Sequence, residues 1–313
     1  MYSPQLHVPT VFDLRLRMFG VTLACNHGCS KCLTDAKPNG EQMPFELISR
    51  ILDSGMKLYD HGISLSFGEP LLYLQGEKDL GDVVKLFALR THHIGILTGG
   101  ICFDADSSME NALRKLERFK HKLSFTVSFD FIEKNEWYAC LLANKTIQIL
   151  LGHGFKVEHL QSCYVQGDQN MKARTKFLTE QLIIDNRLRG SCDYLLSEAS
   201  AIGRARNVSG VREKSLQEHN DDDCDAMGIC QLDTERKLGV LPNGDLTPCV
   251  TNFASNILPF GNIQKDSPAQ LQIKYKEYVA ELQKLRREGD PNRKLCYLHM
   301  ERDMKAKSIR RHC

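Results

Sequence analysis

The sequence predicts an α/β fold. A parallel β/α array should run over roughly residues 15–210, with a lead-in over 1–14 and a small cysteine-bearing extension over 211–313. Three observations predict it. Short apolar runs alternate with stretches of helical spacing from Val21 to Val165. Glycine-rich or polar clusters recur where the apolar runs end, and function in parallel β/α arrays gathers at the C-terminal ends of strands. Beyond residue 210 the pattern gives way to spaced cysteines around one hairpin signal.

Val21-Thr22-Leu23-Ala24 is a β-leaning run that leads into a cysteine loop. Pro44 to Tyr59 carries Phe45, Leu47, Ile48, Ile51, Leu52, Met56 and Leu58 at near-helical spacing. His61 to Ser66 reads as a second strand and ends in Phe67-Gly68-Glu69-Pro70. Ile94 to Gly100 reads as a third strand with a glycine exit, and Leu123 to Phe129 as a fourth, alternating around Phe125 and Val127 and ending Ser128-Phe129-Asp130. Lys156 to Val165 reads as a fifth. Asn111–Phe119, Glu136–Leu151 and Met171–Asn186 read as helices between them, and Ser267–Arg287 as a long helix near the end.

Cys25, Cys29 and Cys32 make a CxxxCxxC run. Zinc and electron-transfer iron–sulfur sites normally take four protein ligands, so three thiolates point to a [4Fe–4S] cluster with one iron left open. A zinc knuckle or three unrelated buried thiols is the plainer alternative, although zinc sites more often use a CxxC pair. A second set comprises Cys224, Cys230, Cys249 and Cys296, with Gly244 between Cys230 and Cys249. Asn243-Gly244 is a hairpin signal, since a type I′ turn needs positive φ at both central residues. Four cysteines would close a second cluster or a structural zinc site. His299 or Cys313 in place of Cys224 stays open.

The CxxxCxxC spacing, followed by Gly68-Glu69-Pro70 at a strand end, resembles the radical SAM superfamily, and the resemblance runs from about residue 15 to the end of the chain. It implies a partial (β/α)6 TIM-type barrel. It also implies that the open iron binds the amino and carboxylate groups of S-adenosylmethionine, which one electron cleaves to a 5′-deoxyadenosyl radical. Gly68-Glu69-Pro70 resembles the GGEP loop that holds the cofactor's amino group. Thr98-Gly99-Gly100 resembles a third-strand Thr-Asn-Gly with Gly99 in place of Asn, and Ser128 with Asp130 resembles a fourth-strand Ser-x-Asp. Gly203-Arg204-Ala205 resembles the motif that closes the sixth strand. The cofactor-binding residues so implied are Gly68, Glu69, Pro70, Thr98, Ser128, Asp130 and Arg204. Two departures stand out: Lys31 where the family has an aromatic residue, and Phe67 where it has the first Gly of GGEP.

The hairpin before Cys249, with Gly261-Asn262-Ile263 downstream, resembles the auxiliary-cluster region of SPASM and twitch members. The count of remaining cysteines favours one auxiliary [4Fe–4S] cluster, held by Cys224, Cys230, Cys249 and Cys296. The activity implied is hydrogen abstraction from a peptide or small-molecule substrate, leading to oxidation or bond formation, with flavodoxin or ferredoxin as electron donor. Oxidation sheds a proton and an electron, and the auxiliary cluster would accept the electron. The alternatives are a radical epimerase, with Cys163 near the end of the fifth strand as hydrogen donor, and a non-catalytic iron–sulfur or zinc protein. Cys192 is a second, weaker candidate donor.

The composition agrees with these expectations. The chain has 313 residues, twelve cysteines and a formal net charge of +2. Met1 to Gln5 has neither the basic region nor the apolar core of a signal peptide, so reduced thiols in a cytoplasmic metalloprotein are expected rather than disulfides. No apolar stretch is long enough to span a bilayer. Neither a membrane nor a nucleic-acid partner is expected, and the basic run Lys305–Arg311 reads as a solvated helix face.

Overall fold

The protein is described by a computed structural model covering residues 15–29, 32, 34, 36–100, 107–129, 136–165, 167–199, 237–247 and 259–288. Its frame is a run of parallel strands: β1 Arg15–Gly20, β2 Ile63–Ser66, β3 Ile94–Thr98, β4 Leu123–Ser128, β5 Lys156–Val165 and β6 Asp193–Ala199. Each pairs in parallel with the next, so spatial order follows sequence order. Helices α1 Phe45–Asp53, α2 Leu80–Ala88, α3 Ser107–Leu116, α4 Glu136–Gly152 and α5 Gln169–Asp185 fall one in each connection. This is a mixed α/β fold built on a parallel sheet, as the alternation of periods predicts.

The sheet does not stop at β1. Strand β7, Lys237–Val240, pairs in parallel with the outer edge of β1. Strands β8, Asp245–Thr247, and β9, Gly261–Asn262, follow antiparallel, and the long helix α6, Pro268–Glu288, comes next. A hairpin joins β7 to β8 as expected, but not through a type I′ turn at Asn243-Gly244: only Gly244 has positive φ, at +82°, and the turn closes with Gly244 N–H donating to Leu241 O at 2.8 Å, which places Pro242 and Asn243 at its centre. The extension is therefore an extra edge of the same sheet.

Directly paired residues of parallel strands share a face. Phe19, Leu65, Ile96, Phe125 and Val127 lie on one face and are buried in a single apolar cluster with Ile48 and Ile51 of α1, Val84 and Phe87 of α2, and Ile147 of α4. Ser64, Gly95, Leu97, Thr126 and Ser128 lie on the other face, which is polar and mostly half-exposed. The helices thus cover one side of the sheet, and the polar side is left for chemistry.

Strand β5 changes phase. Val157 pairs with Phe125, but the next pair is His159 with Thr126, which leaves Glu158 as the extra residue of a bulge. A one-residue slip moves every later side chain to the other face. Leu160, Ser162 and Tyr164 are consequently buried on the apolar side, while His159, Gln161 and Cys163 follow the polar face.

Some expectations need correction. The first strand is Arg15–Gly20, not Val21–Ala24, whose Thr22 and Ala24 make only isolated bridges to Gln42 and Lys37. The arginines mask β1: Arg15 pairs with Asp60, and Arg17 stacks on Tyr59 at 5.3 Å. Helix α1 ends at Asp53, well short of Tyr59. Helix α2 was not foreseen, because Gly81 and its acidic start hide it. Its first turn is set by a capping box between Asp79 and Asp82. The fifth strand matches its expected bounds. The sixth is Asp193–Ala199, and residues 201–205, with Arg204, lie outside the described residues.

Candidate active site

The loop bearing Cys25, Cys29 and Cys32 leaves the C-terminal end of β1 and is tied shut at its base. Leu23 N–H donates to Glu41 O at 2.7 Å, Cys25 N–H to Lys37 O at 2.9 Å and Met43 N–H to Val21 O at 2.8 Å. None of the three cysteines is in a disulfide, and all are half-buried. Cys25 Sγ accepts from His27 N–H at 3.4 Å and Cys32 Sγ from Ala36 N–H at 3.3 Å. Such N–H···S bonds stabilise a thiolate that ligates a metal or cluster. Among the described residues no three His, Cys, Asp or Glu side chains stand together as ligands for one metal ion. The thiols share a loop without being drawn to a point. Three thiols on one loop, two of them with backbone donors on their sulfurs, fit the donor set of an iron–sulfur cluster.

Next to this loop lies Gly68-Glu69-Pro70. Glu69 N–H donates to Ala24 O at 2.8 Å, joining it to the residue before Cys25. Gly68 is at φ +48°, and a Cβ there would meet Ala24 O and Thr22 O at 2.7 Å, so only glycine fits. Glu69 itself is buried, and both its carboxylate oxygens are engaged. Oε1 accepts from Leu71 N–H at 3.2 Å and Oε2 from Gly99 N–H at 2.8 Å, with the Thr98 hydroxyl 2.9 Å and 3.0 Å from the two. Burial pushes this carboxyl above its usual range, and the bonds from Gly99, Leu71, Thr98 and Gly100 pull it back down. Thr98 is therefore turned toward Glu69, and the pair locks the exit of β3 to the exit of β2. Pro70 opens a short 3-10 turn, Pro70–Leu72, capped by the Glu69 side chain.

Phe67 and Gly99 both have structural counterparts. Phe67 is a non-glycine residue at φ +67°, a conformation that glycine adopts without steric cost, and so marks a strained position here. Its ring lies over Gly20, where an added Cβ would meet Phe67 Cδ2 at 2.7 Å. Gly99 is accompanied by His27, whose Nε2 lies 3.1 Å from Gly99 O. A Cβ at Gly99 would come within 2.0 Å of His27 Cδ2, so the imidazole fills the side-chain space at that position. Sequence reasoning missed His27. The signal was available, since an Asn reduced to Gly at a strand exit leaves room that another side chain has to fill. Lys31 lies outside the described residues.

Further along the polar face, Ser128 ends β4 and pairs with Gln161 of β5. Cys163 is two residues beyond Gln161 on the same face, half-exposed and near the end of β5. Cys192 is buried at the N-terminal end of β6, away from the cysteine loop. Its Sγ donates to Asp193 O at 3.4 Å, and burial beside Asp193 pushes the thiol up to about 11. Asp130 lies outside the described residues.

Of the second cysteine set, Cys224, Cys230, Cys249 and Cys296, with His299 and Cys313, all lie outside the described residues. The hairpin that precedes Cys249 is described. Asn262, from Gly261-Asn262-Ile263, is its staple. Its Nδ2 donates to Asn243 O at 2.9 Å and Asp245 Oδ1 at 2.7 Å, and its Oδ1 accepts from Gln264 N–H at 2.9 Å and Lys265 N–H at 3.2 Å.

No protein-family model matches the sequence, and no curated protein matches it. Among solved structures the chain is similar to Streptococcus suis SuiB bound to the precursor peptide SuiA. The TM-score is 0.56 at 14% identity, over 84% of this chain and 65% of that one. SuiB bound to S-adenosylmethionine gives a TM-score of 0.52 at 14% identity, over 84% of this chain and 64% of that one. This chain spans just under two thirds of SuiB's length. No helix among the described residues is long and apolar enough to cross a membrane. At this identity the likeness is one of architecture: the chain shares the α/β fold of SuiB.

Proposed function

We propose that this protein is a radical SAM enzyme that modifies a peptide. One observation carries the reading. The cysteine loop, the Gly68-Glu69-Pro70 loop and the exit of β3 meet at one end of the sheet, hydrogen-bonded through Ala24, Glu69 and Gly99. An electron carrier needs its thiolates but has no use for a cradle beside them. Cys25, Cys29 and Cys32 would hold the cluster, which when bound supplies one electron for cleaving S-adenosylmethionine. Gly68 brings backbone carbonyls close to a ligand ammonium, and Glu69 fixes that loop against β3. Ser128, on the polar face, would contact the cofactor, and Gln161, paired with it, lies on the same face. A peptide substrate is favoured because SuiB, which shares the fold, was solved with a precursor peptide. The outcome we favour is oxidation or bond formation, with Cys224, Cys230, Cys249 and Cys296 as the auxiliary ligands, residues 15–210 as the catalytic core and 211–313 as the auxiliary domain.

A second reading has a specific observation behind it. The bulge at Glu158 turns Cys163 onto the polar face, where a thiol is placed to return a hydrogen atom to a substrate carbon, as an epimerase requires.

Anaerobic reconstitution tests the proposal. About eight irons per chain are expected from two [4Fe–4S] clusters. Replacing Cys25, Cys29 and Cys32 together with Ala should leave about four and abolish 5′-deoxyadenosine formation. Cys230→Ala or Cys249→Ala should lower iron and turnover while cleavage of S-adenosylmethionine by dithionite persists. Wild-type protein that holds zinc and no iron sinks the reading.

A further inference from the structure

We propose that His27 is a positioning residue that couples the cluster loop to the cofactor cradle. The inference rests on the radical SAM reading and assigns a part of that site to a side chain outside its motif positions. His27 stands between two of the proposed ligands, Cys25 and Cys29, and the residue is 9% exposed. A carbonyl has no proton to give, so the contact of 3.1 Å to Gly99 O is donated by Nε2–H.

That bond closes a circuit. Glu69 N–H donates to Ala24 O at 2.8 Å, and Gly99 N–H to Glu69 Oε2 at 2.8 Å. His27 Nε2–H donates to Gly99 O, and His27 N–H to Cys25 Sγ at 3.4 Å, one residue from Ala24. Gly99 is the junction, its N–H facing the cradle and its C=O facing the cysteine loop. The other tie between the two loops described above is at Ala24, on the side of Cys25 that leads back to β1. The imidazole also fills the space at Gly99, since a Cβ there would lie 2.0 Å from its Cδ2. A buried polar ring held by a loop residue on one side and a glycine carbonyl on the other fixes distance and orientation together. It sets how far the cluster loop stands from the loop that would hold the amino group of S-adenosylmethionine.

The test uses reconstituted full-length protein, with iron content and S-adenosylmethionine affinity as readouts. Affinity is read from the change of the reduced cluster's EPR signal on titration. His27→Leu keeps the bulk and removes the donor. It should retain wild-type iron and bind S-adenosylmethionine about tenfold more weakly, as the loss of one hydrogen bond in the cradle predicts. His27→Gln places a donor nitrogen where Nε2 was and should restore affinity. Gly99→Ala should lose affinity as well, and the double variant His27→Ala with Gly99→Ala should recover the steric part of that loss. His27→Leu with wild-type iron and wild-type affinity overturns the inference, as does His27→Gln that is no better than His27→Leu. Wild-type protein that takes up no iron overturns the radical SAM reading itself, and this inference with it.

Discussion

The hydroxyl oxygen of Thr98 lies 2.9 Å and 3.0 Å from the two carboxylate oxygens of Glu69, so the end of one strand is clamped to the loop of its neighbour by a buried carboxylate. Every partner of that carboxylate is a donor, which sets the first prediction. Glu69→Gln must turn an amide N–H₂ toward either Leu71 N–H or Gly99 N–H, and should cost about 1–3 kcal/mol in unfolding free energy. The pH dependence has a definite sign. Burial raises this carboxyl above the ordinary value of 4.5, so between that value and the folded one the native state binds more protons than the unfolded state. The group's contribution to stability is full below about 4.5 and is lost as pH rises through the folded value. The stability gap between wild type and Glu69→Gln should therefore narrow as pH is raised from that region, measured by denaturant titration at several pH values.

Two glycines with positive φ should respond differently to alanine. At Gly55, φ +81°, an added Cβ meets nothing within 4 Å, so Gly55→Ala carries only the left-handed backbone penalty of about 1–2 kcal/mol. At Gly68 the Cβ meets two backbone carbonyl oxygens at 2.7 Å, which cannot swing aside. Gly68→Ala should cost more than Gly55→Ala in equilibrium unfolding and should also reduce iron uptake. Equal costs for the two would contradict the tight seat assigned to the loop.

Ser162 offers a gain. Its side chain is fully buried on the apolar face, and Oγ has no hydrogen-bond partner among the described residues. Removing an unsatisfied buried hydroxyl should stabilise the protein by about 1–2 kcal/mol. Ser162→Ala is expected to raise the midpoint of denaturation; a lowered midpoint would mean the hydroxyl has a partner.

Asn262 should be the most sensitive residue of the extension. Asn262→Ala removes the bonds to Asn243 O, Asp245 Oδ1, Gln264 N–H and Lys265 N–H, for an expected loss of about 2–4 kcal/mol. Asn262→Asp keeps the acceptor but sets a carboxylate against Asp245, and should be no better than alanine. Chemical denaturation of both variants decides this.

Cys163→Ala separates the two proposed readings, oxidation and epimerisation. If oxidation is the product chemistry, the variant should keep most of its activity, and product mass should fall by two hydrogens where the substrate is simply oxidised. Stalled turnover in Cys163→Ala, with one deuterium gained at carbon by wild-type product made in deuterated water, would establish the epimerase reading instead.

Strands two to five of the fold were readable because their residues alternate against a buried layer, as with Phe125 and Val127 of β4. Strand β1 was not, because Arg15 and Arg17 pair with Asp60 and Tyr59 across the chain, a contact with no local trace. The parallel pairing of β7 with β1 is invisible for the same reason: more than two hundred residues separate the partners. At the site, the cysteines and Gly68-Glu69-Pro70 are contiguous motifs and stood out. The filling of the Gly99 position by His27 is a contact between residues 72 apart, and only the empty side of it, the missing Asn, is written locally.

The extra residue in β5 makes burial along that strand a question of reading frame. Before Glu158 the odd-numbered Val157 faces the core, and after it the even-numbered Leu160, Ser162 and Tyr164 do. A strand that absorbed Glu158 into regular alternation behind Val157 would carry Ser162 on the polar face and Cys163 among the apolar side chains, with its composition unchanged. Deleting residue 158 instead removes the bulge and leaves His159 opposite Thr126, so Cys163 keeps its place. The pairing of this strand, not its composition, decides whether a thiol or a hydroxyl meets the open side of the sheet.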